Sequence, residues 1–258
     1  MDRLLEATER AERDHCWFHG FRAFVTPLLD RALAGHAAPA ILDCGCGTGN
    51  NLARLLRPRG RAVGVDLAWR GLQFASQRPE RLPLAQATVA RLPFGDRQFD
   101  VVTSFDVLQC VADDEEPTAF AEMFRVLRPG GHAVINVSAL PLLHGGHSVL
   151  THEVRRYTRG RLRRLVQDAG FEVRRLTYTF ATLLPLIAAV RFLHRVEGLP
   201  ASDQDQDATR EIDVPPRPIN AMLTWLVRAE ARAARTINPP IGSSLLCLAR
   251  RPGVARDH

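Results

Sequence analysis

The chain has 258 residues, 46% of them apolar, which is enough to fill the core of one large α/β domain with a decorated end and too little for two full domains. All 34 basic residues are arginine and oppose 28 acidic ones for a net charge of +6, and without aromatics interleaved among the arginines this excess does not indicate a nucleic-acid surface. The five cysteines include no Cys-x-x-Cys pair, so neither a disulfide framework nor a zinc site is indicated and a reducing compartment is expected.

The first fifteen residues, MDRLLEATERAERDH, alternate charges on a helical period. They lack the apolar core of a signal peptide, which predicts a cytoplasmic chain. Met1 to Leu33 reads as two helices, the second with an apolar stripe at Phe18, Phe21, Val25, Leu28 and Leu29. Short β-rich runs then alternate with helical ones. AILDC (Ala40 to Cys44) leads to a helix from Asn50, RAVGVD (Arg61 to Asp66) to a helix from Ala68, and a short run from Leu84 to Thr88 to the strand FDVVTSF (Phe99 to Phe105). A helix ending near Leu127, the strand Gly131 to Val137 and a helix from Thr158 to Ala169 follow. Phe171 to Phe180 and Ser243 to Arg250 complete seven strand candidates. Such alternation predicts a doubly wound, mostly parallel sheet with helices on both faces.

Between the last two strands lies a helical insertion, residues 179–240. Thr182 to His194 reads as an apolar helix and Ile219 to Arg235 as an amphipathic one, separated by a mobile acidic linker from Glu197 to Pro218. The expected organisation is therefore a helical cap (1–36), a core (37–178 and 241–252) and this insertion as a lid. Leu176 to Val190, an uncharged apolar stretch, contains Pro185 and is shorter than the ~20 residues that span a bilayer. No transmembrane segment is expected.

The strand AILDC runs directly into GCGTG and a helix, so Gly45, Gly47 and Gly49 form a tight turn where side chains would block a ligand from the backbone N–H groups. A dinucleotide turn reads GxGxxG; here Asn50 stands where its third glycine would be. Asp43 precedes the turn, where a carboxylate suits a positive amino group and would repel a pyrophosphate. Asp66 ends the second strand, where a carboxylate can accept both hydroxyls of a ribose.

DCGCGTG (Asp43 to Gly49) resembles the DxGxGxG run of class I, Rossmann-like methyltransferases. ATVARLPFGDRQFDVVTSFDVLQCV (Ala87 to Val111) and FRVLRPGGHAVI (Phe124 to Ile135) resemble two later signatures of that family. HCWFHGFR (His15 to Arg22) and HEVRRYTRGRL (His152 to Leu162) are similar to the HFWFRGRR and HxxRRYTRGxL segments of a bacterial subgroup. The resemblance implies S-adenosyl-L-methionine as cofactor, S-adenosyl-L-homocysteine as product and no metal. It places Asp43, Gly45, Cys46, Gly47 and Gly49 around the methionine part, Asp66 on the ribose, Leu67, Thr88 and Val89 at the adenine, and Ser104 and Phe105 near the sulfonium. Thr88 stands where the family usually has an acidic residue, and Gln109-Cys110 where many relatives have Glu-His. Trp17 is expected to cap the cofactor, and Phe18 to fill core.

The loop after the fifth strand, Ser138 to Tyr157, falls at the carboxyl edge of the sheet, where open α/β folds bind ligands. It gathers His144, His147, His152, Glu153, Arg155, Arg156 and Tyr157. Histidine suits proton removal near neutral pH, so His152 and then His147 are the expected bases, with Glu153 and Tyr157 beside them. Tyr157 and His152 could instead anchor the loop. Arg155 and Arg156 belong to a run with eight arginines against three acids between Thr151 and Leu176, which suits an anionic group on a small or lipid-like acceptor. An alternative is an isoprenoid diphosphate held by these arginines and methylated at carbon, with Glu153 removing the proton. RNA methylation or nucleic-acid binding has less support, and a monomer or homodimer is expected.

Overall fold

The computed structural model describes residue 9 and residues 11–143, 153–189 and 214–253. Helix α1 (Cys16–Ala32) precedes strand β1 (Ala40–Cys44), a π-helical turn (Leu52–Leu56), β2 (Arg61–Asp66), α2 (Trp69–Ser76), β3 (Leu84–Gln86) and β4 (Phe99–Phe105). There follow α3 (Glu116–Val126), β5 (Leu127–Ser138), α4 (Arg159–Asp168), β6 (Glu172–Thr179), α5 (Arg217–Ala233) and β7 (Ser244–Arg250). The seven strands form one sheet in the order β3-β2-β1-β4-β5-β7-β6. Only β7 is antiparallel to its neighbours, slotting between β5 and β6. This is the doubly wound α/β architecture expected, and the strand order reverses between β1 and β4, so their carboxyl ends border the crevice where such sheets take ligands.

Each sheet face carries its own core. On one, α1 lays Phe21, Phe24, Val25, Leu28 and Leu29 against Ile41 of β1, Val101 and Phe105 of β4 and Val134 of β5. Helix α5 completes this layer with Val227 and Ala231. The two helices start together, since Cys16 N–H donates to Asn220 Oδ1 at 2.8 Å and Asn220 Nδ2 to the Asp14 carbonyl at 2.7 Å. Gly20 lets them approach closely: a Cβ there would lie 2.2 Å from Val227 Cγ1. The described part of the expected insertion thus shares one core with the N-terminal helix and the sheet. Residues 184–189 begin the apolar helix expected from Thr182, whereas residues 190–213, most of the acidic stretch, lie outside the described residues. The opposite face packs Leu42, Val102, Ile135, Leu245 and Cys247 under Phe120 and Met123 of α3 and Leu162 and Val166 of α4.

Helix starts follow local chemistry. His15 Nδ1 accepts from Trp17 N–H at 3.0 Å to cap α1, and Thr158 Oγ1 accepts from Arg161 N–H at 3.2 Å to cap α4. Among the described residues no helix is long and apolar enough to cross a membrane.

Candidate functional site

Gly45, Gly47 and Gly49 all adopt left-handed backbone, with φ of +83°, +52° and +75°, a region that other residues enter only at a cost. Two of them also lack room: a Cβ on Gly45 would lie 2.1 Å from Val107 Cγ2, and one on Gly49 would lie 2.7 Å from Leu82 Cδ1. Gly47 differs, because a Cβ there would meet nothing within 4 Å. Its face of the turn is open.

The N–H groups of Gly45, Cys46, Gly47 and Gly49 are not left free for a ligand, as the sequence led us to expect. Gly45 and Cys46 both donate to the Val65 carbonyl, at 2.8 and 2.9 Å, and Gly49 donates to the Cys46 carbonyl at 2.8 Å. Gly47 N–H donates to Asp66 Oδ2 at 2.7 Å, and the other Asp66 oxygen accepts from Ala68 N–H at 2.8 Å. The glycines therefore supply close approach more than donors, and Asp66 ties the turn to the start of α2. Its half-buried carboxylate keeps lone pairs for further donors. Burial raises its pKa, against the opposing pull of these backbone N–H groups.

Asp43 is buried and accepts from Thr103 Oγ1 at 2.7 Å. Burial pushes its carboxyl up to about 7. Cys46 turns its side chain toward Gly64 in the core, and burial raises the thiols of Cys44 and Cys46 far above neutral. Leu67 and Trp69 are exposed beside Asp66, at 68% and 61%, an apolar rim in keeping with Leu67 at an adenine. Val89 instead buries its side chain in the core, and Thr88 Oγ1 accepts from Ala90 N–H at 3.3 Å. Ser104 is fully buried, with a hydroxyl that has no hydrogen-bond partner. Phe105 meets Phe21 edge-on at 5.1 Å. Trp17, expected to cap the cofactor, is partly buried and stacks on Phe180, the residue after β6, with centroids 3.9 Å apart.

On the acceptor side, the loop residues are largely engaged in holding the loop. The Tyr157 hydroxyl, fully buried, donates to the Glu116 carboxylate, with the Leu108 carbonyl 3.2 Å away. Burial and Glu116 raise its pKa, an arrangement that suits the anchoring role. Arg155 is buried against Asp113 at 2.9 Å and Glu116 at 3.5 Å and also donates to the Leu108 carbonyl. Arg156 pairs with Glu153 at 3.1 Å and donates to the Ala139 carbonyl. The two cations expected to meet an anion are thus each already paired with a carboxylate of the chain. His144, His147 and His152 lie outside the described residues.

Asp106, which no motif or spacing singles out, stands on this side as well. It follows β4 with φ +59°, and its Oδ1 accepts from Asn136 Nδ2 at 2.8 Å and faces Gln109 Nε2 at 3.5 Å. Gln109 Nε2 also reaches Ser138 Oγ at 3.3 Å, and Ser138 donates to Glu153 at 2.7 Å. Oδ2 accepts no hydrogen bond among the described residues. The side chain is exposed to solvent, while the protein packed around its carboxyl, with the Glu153 carboxylate nearby, pushes it up to about 7. Neighbouring Val107 packs on Gly45, so Asp106 stands next to the glycine turn. A non-glycine residue held at positive φ beside a ligand edge is a recurrent mark of function, and an aspartate at a strand end is the sort of residue that tolerates it. Among the described residues no group of three or more His, Cys, Asp or Glu side chains could hold a metal ion.

Comparison with known proteins bears on this geometry directly. Residues 42–135 match a family model described as a methyltransferase domain. An uncharacterised 37.1 kDa protein in transposon TN4556 of Streptomyces fradiae is 31% identical over 66% of this chain and 52% of its own length. A ubiquinone/menaquinone biosynthesis C-methyltransferase of Dinoroseobacter shibae is 40% identical over 42% of this chain and 46% of its own. The chain spans about half the length of the curated relatives it matches. Among solved structures, a phosphoethanolamine N-methyltransferase of Haemonchus contortus in complex with S-adenosyl-L-methionine is 17% identical, with a TM-score of 0.62 covering 98% of this chain and 57% of that one. This last likeness shows the fold.

Proposed function

We propose that this chain, whose residues 42–135 form a class I methyltransferase domain, is an S-adenosylmethionine-dependent methyltransferase acting on a small or lipid-like acceptor. The observation that carries the proposal is the glycine turn itself. Gly47 is open on its outer face, and its N–H is fixed by the acidic residue ending β2. The turn fits the cofactor: Gly47 allows close approach, Asp66 has lone pairs for ribose hydroxyls, and Leu67 offers an exposed apolar surface beside it. When bound, the cofactor supplies an activated methyl group to the acceptor, leaving S-adenosyl-L-homocysteine.

The acceptor side favours an apolar molecule with a proton to lose over an anion. Leu142 and Val154 are exposed near the carboxyl edge, at 79% and 58%, and Val154 is held beside Gln109 by a 2.9 Å bond to its carbonyl. The free oxygen of Asp106 can orient a hydroxyl or an acidic C–H and take its proton, a role that suits a carboxyl with a pKa near the working pH. His152 and His147 belong to the loop leading into Glu153 and are the bases proposed from the sequence. The ubiquinone/menaquinone biosynthesis named for the Dinoroseobacter relative supplies the acceptor class to try first, a quinol ring still lacking the methyl group.

The test is methyl transfer from tritiated S-adenosylmethionine to a panel holding a prenylated naphthohydroquinone, an acyl thioester, an isoprenoid diphosphate and bulk RNA. Label extracted into the organic phase with an uncharged product supports the proposal. Label confined to the diphosphate or the RNA overturns the acceptor class.

A further inference from the structure

Thr48 stands between two left-handed glycines, so nothing in its own conformational preference holds it in place. What holds it comes from two distant parts of the chain. Its hydroxyl donates to the Glu12 carboxylate, 2.7 and 2.8 Å from the two oxygens, and its carbonyl accepts from Arg78 Nε at 2.6 Å. Arg78 Nη2 lies 3.1 Å from Glu12 Oε2, which closes the ring. Thr48 is 3% exposed and the Glu12 and Arg78 side chains 12% and 16%, so the ring is mostly shut off from water. Arg78 follows α2, the helix whose Gly71 backs onto Gly47: a Cβ there would sit 3.1 Å from the Gly47 carbonyl oxygen.

An ion pair in such a place adds little to net stability, because desolvation offsets the Coulomb attraction. What it does set is register. Glu12 is also tied through its own carbonyl, which accepts from Arg22 Nη1 of α1 at 3.2 Å. The charged groups around it are Arg78 beyond the turn, Arg22 on α1 and Glu9 just upstream. Neither the sequence motifs nor the cofactor contacts above call on Glu12 or Arg78.

We propose that Glu12 and Arg78 are positioning residues of the cofactor site, whose joint grip on Thr48 makes the seating of residues 11–15 and the shape of the glycine turn a single event. The inference rests on the turn being the cofactor cradle, as proposed above. If the two are linked, a ligand that orders the turn must also order the start of the chain, and loosening that start must weaken the ligand by the same factor.

The experiment uses the full chain with S-adenosylhomocysteine as probe, combining titration calorimetry with hydrogen exchange of the peptide 11–22. In the wild type the probe is expected to slow exchange in that peptide. Glu12→Ala and Arg78→Met should each weaken the probe about 10-fold, a coupling of about 1.4 kcal/mol, and abolish the slowing, while exchange in β4 and β5 stays as in the wild type. The double variant should be no weaker than either single one. Glu12→Gln, whose amide oxygen can still accept from Thr48, should retain most of the affinity, which a general loss of packing would not allow. Variants that bind within 2-fold of the wild type, or a wild-type peptide 11–22 indifferent to the probe, overturn this proposal alone. A wild type that binds neither S-adenosylhomocysteine nor S-adenosylmethionine overturns the methyltransferase proposal and this one with it.

Discussion

Gly47→Ala separates the fold from the cofactor site more cleanly than any other change in the turn. The new methyl meets no protein atom within 4 Å, so the fold loses only the strain of alanine at φ +52°. That strain is about 1–2 kcal/mol, part of which is offset by the lower entropy of the unfolded alanine chain. For a chain of this size the melting temperature should fall by roughly 2–8 °C. Gly45→Ala and Gly49→Ala would force a Cβ to 2.1 Å from Val107 and 2.7 Å from Leu82 and should damage folding itself. On the cofactor the effect at Gly47 is different in kind, since the methyl fills the open face against which the ligand packs. Affinity for S-adenosylhomocysteine should drop at least about 100-fold, equivalent to about 2.7 kcal/mol, and further in Gly47→Val. Scanning calorimetry and titration calorimetry on one preparation read both quantities. If Gly47→Ala melts a few degrees lower but binds at wild-type affinity, the open face is not the cofactor contact and the central proposal fails.

Asp66→Ala removes the acceptor that holds Gly47 N–H at 2.7 Å and Ala68 N–H at 2.8 Å and with it the two bonds proposed to the ribose hydroxyls; at about 1.5–3 kcal/mol for each charged-acceptor bond, S-adenosylhomocysteine should weaken by two orders of magnitude or more in calorimetry, and retained affinity would show that the carboxylate does not serve the ligand. Tyr157→Phe strips the buried partner from Glu116 and should lower stability by about 1–3 kcal/mol with unchanged cofactor affinity; an unchanged melting temperature would argue against the anchoring role. Asp106→Asn should raise the melting temperature. The folded pKa of about 7 lies above the ordinary 3.8, so the native state binds the extra proton between those values and the aspartate's contribution worsens as pH rises through that window. The gain in the asparagine variant should therefore be larger at pH 8 than at pH 5 in a thermal-shift series, and a gain independent of pH would leave only the conformational preference of asparagine to explain it.

The fold was legible because burial repeats along the chain. AILDC, RAVGVD and FDVVTSF coincide with β1, β2 and β4 residue for residue, since strands buried on both sides must be continuous apolar runs between turns. The position of β7 between β5 and β6 was not legible, because strand order depends on which edges remain unpaired when the last segment arrives and leaves no local signature. The glycine turn announced itself through residue type, but its hydrogen bonding did not: nothing in GCGTG says that Val65 and Asp66 will consume its N–H groups. The arginine-rich loop misled for a related reason. A run of like charges looks available until partners far along the chain, here Asp113 and Glu116, are brought beside it. Asp106 and Glu12 were hidden for the same cause, being single acidic residues whose meaning comes from Asn136 and Gln109 in one case and Thr48 and Arg78 in the other.

These pairings give the site a sign opposite to that of the chain. The sequence carries a net charge of +6, yet Arg155 and Arg156 are turned into internal ion pairs while Asp43, Asp66, Asp106 and Glu153 gather at the carboxyl ends of β1, β2, β4 and β5. Burial raises the pKa of Asp43, Asp106 and Cys110, and neighbouring carboxylates add to it, Asp66 at Asp43 and Glu153 at Asp106 and at the Cys110 thiol, which reaches about 12. A cleft that resists further negative charge favours a cationic ligand over an anionic one. A sulfonium with a free amino group gains from such a field, and a neutral acceptor is indifferent to it until its proton is drawn off. With Glu153 paired to Arg156, a diphosphate would still face Asp43, Asp66 and Asp106 with two arginines already occupied. Net charge, read over the whole chain, suits an anionic acceptor, whereas the local arrangement of carboxylates supports the neutral acceptor proposed above.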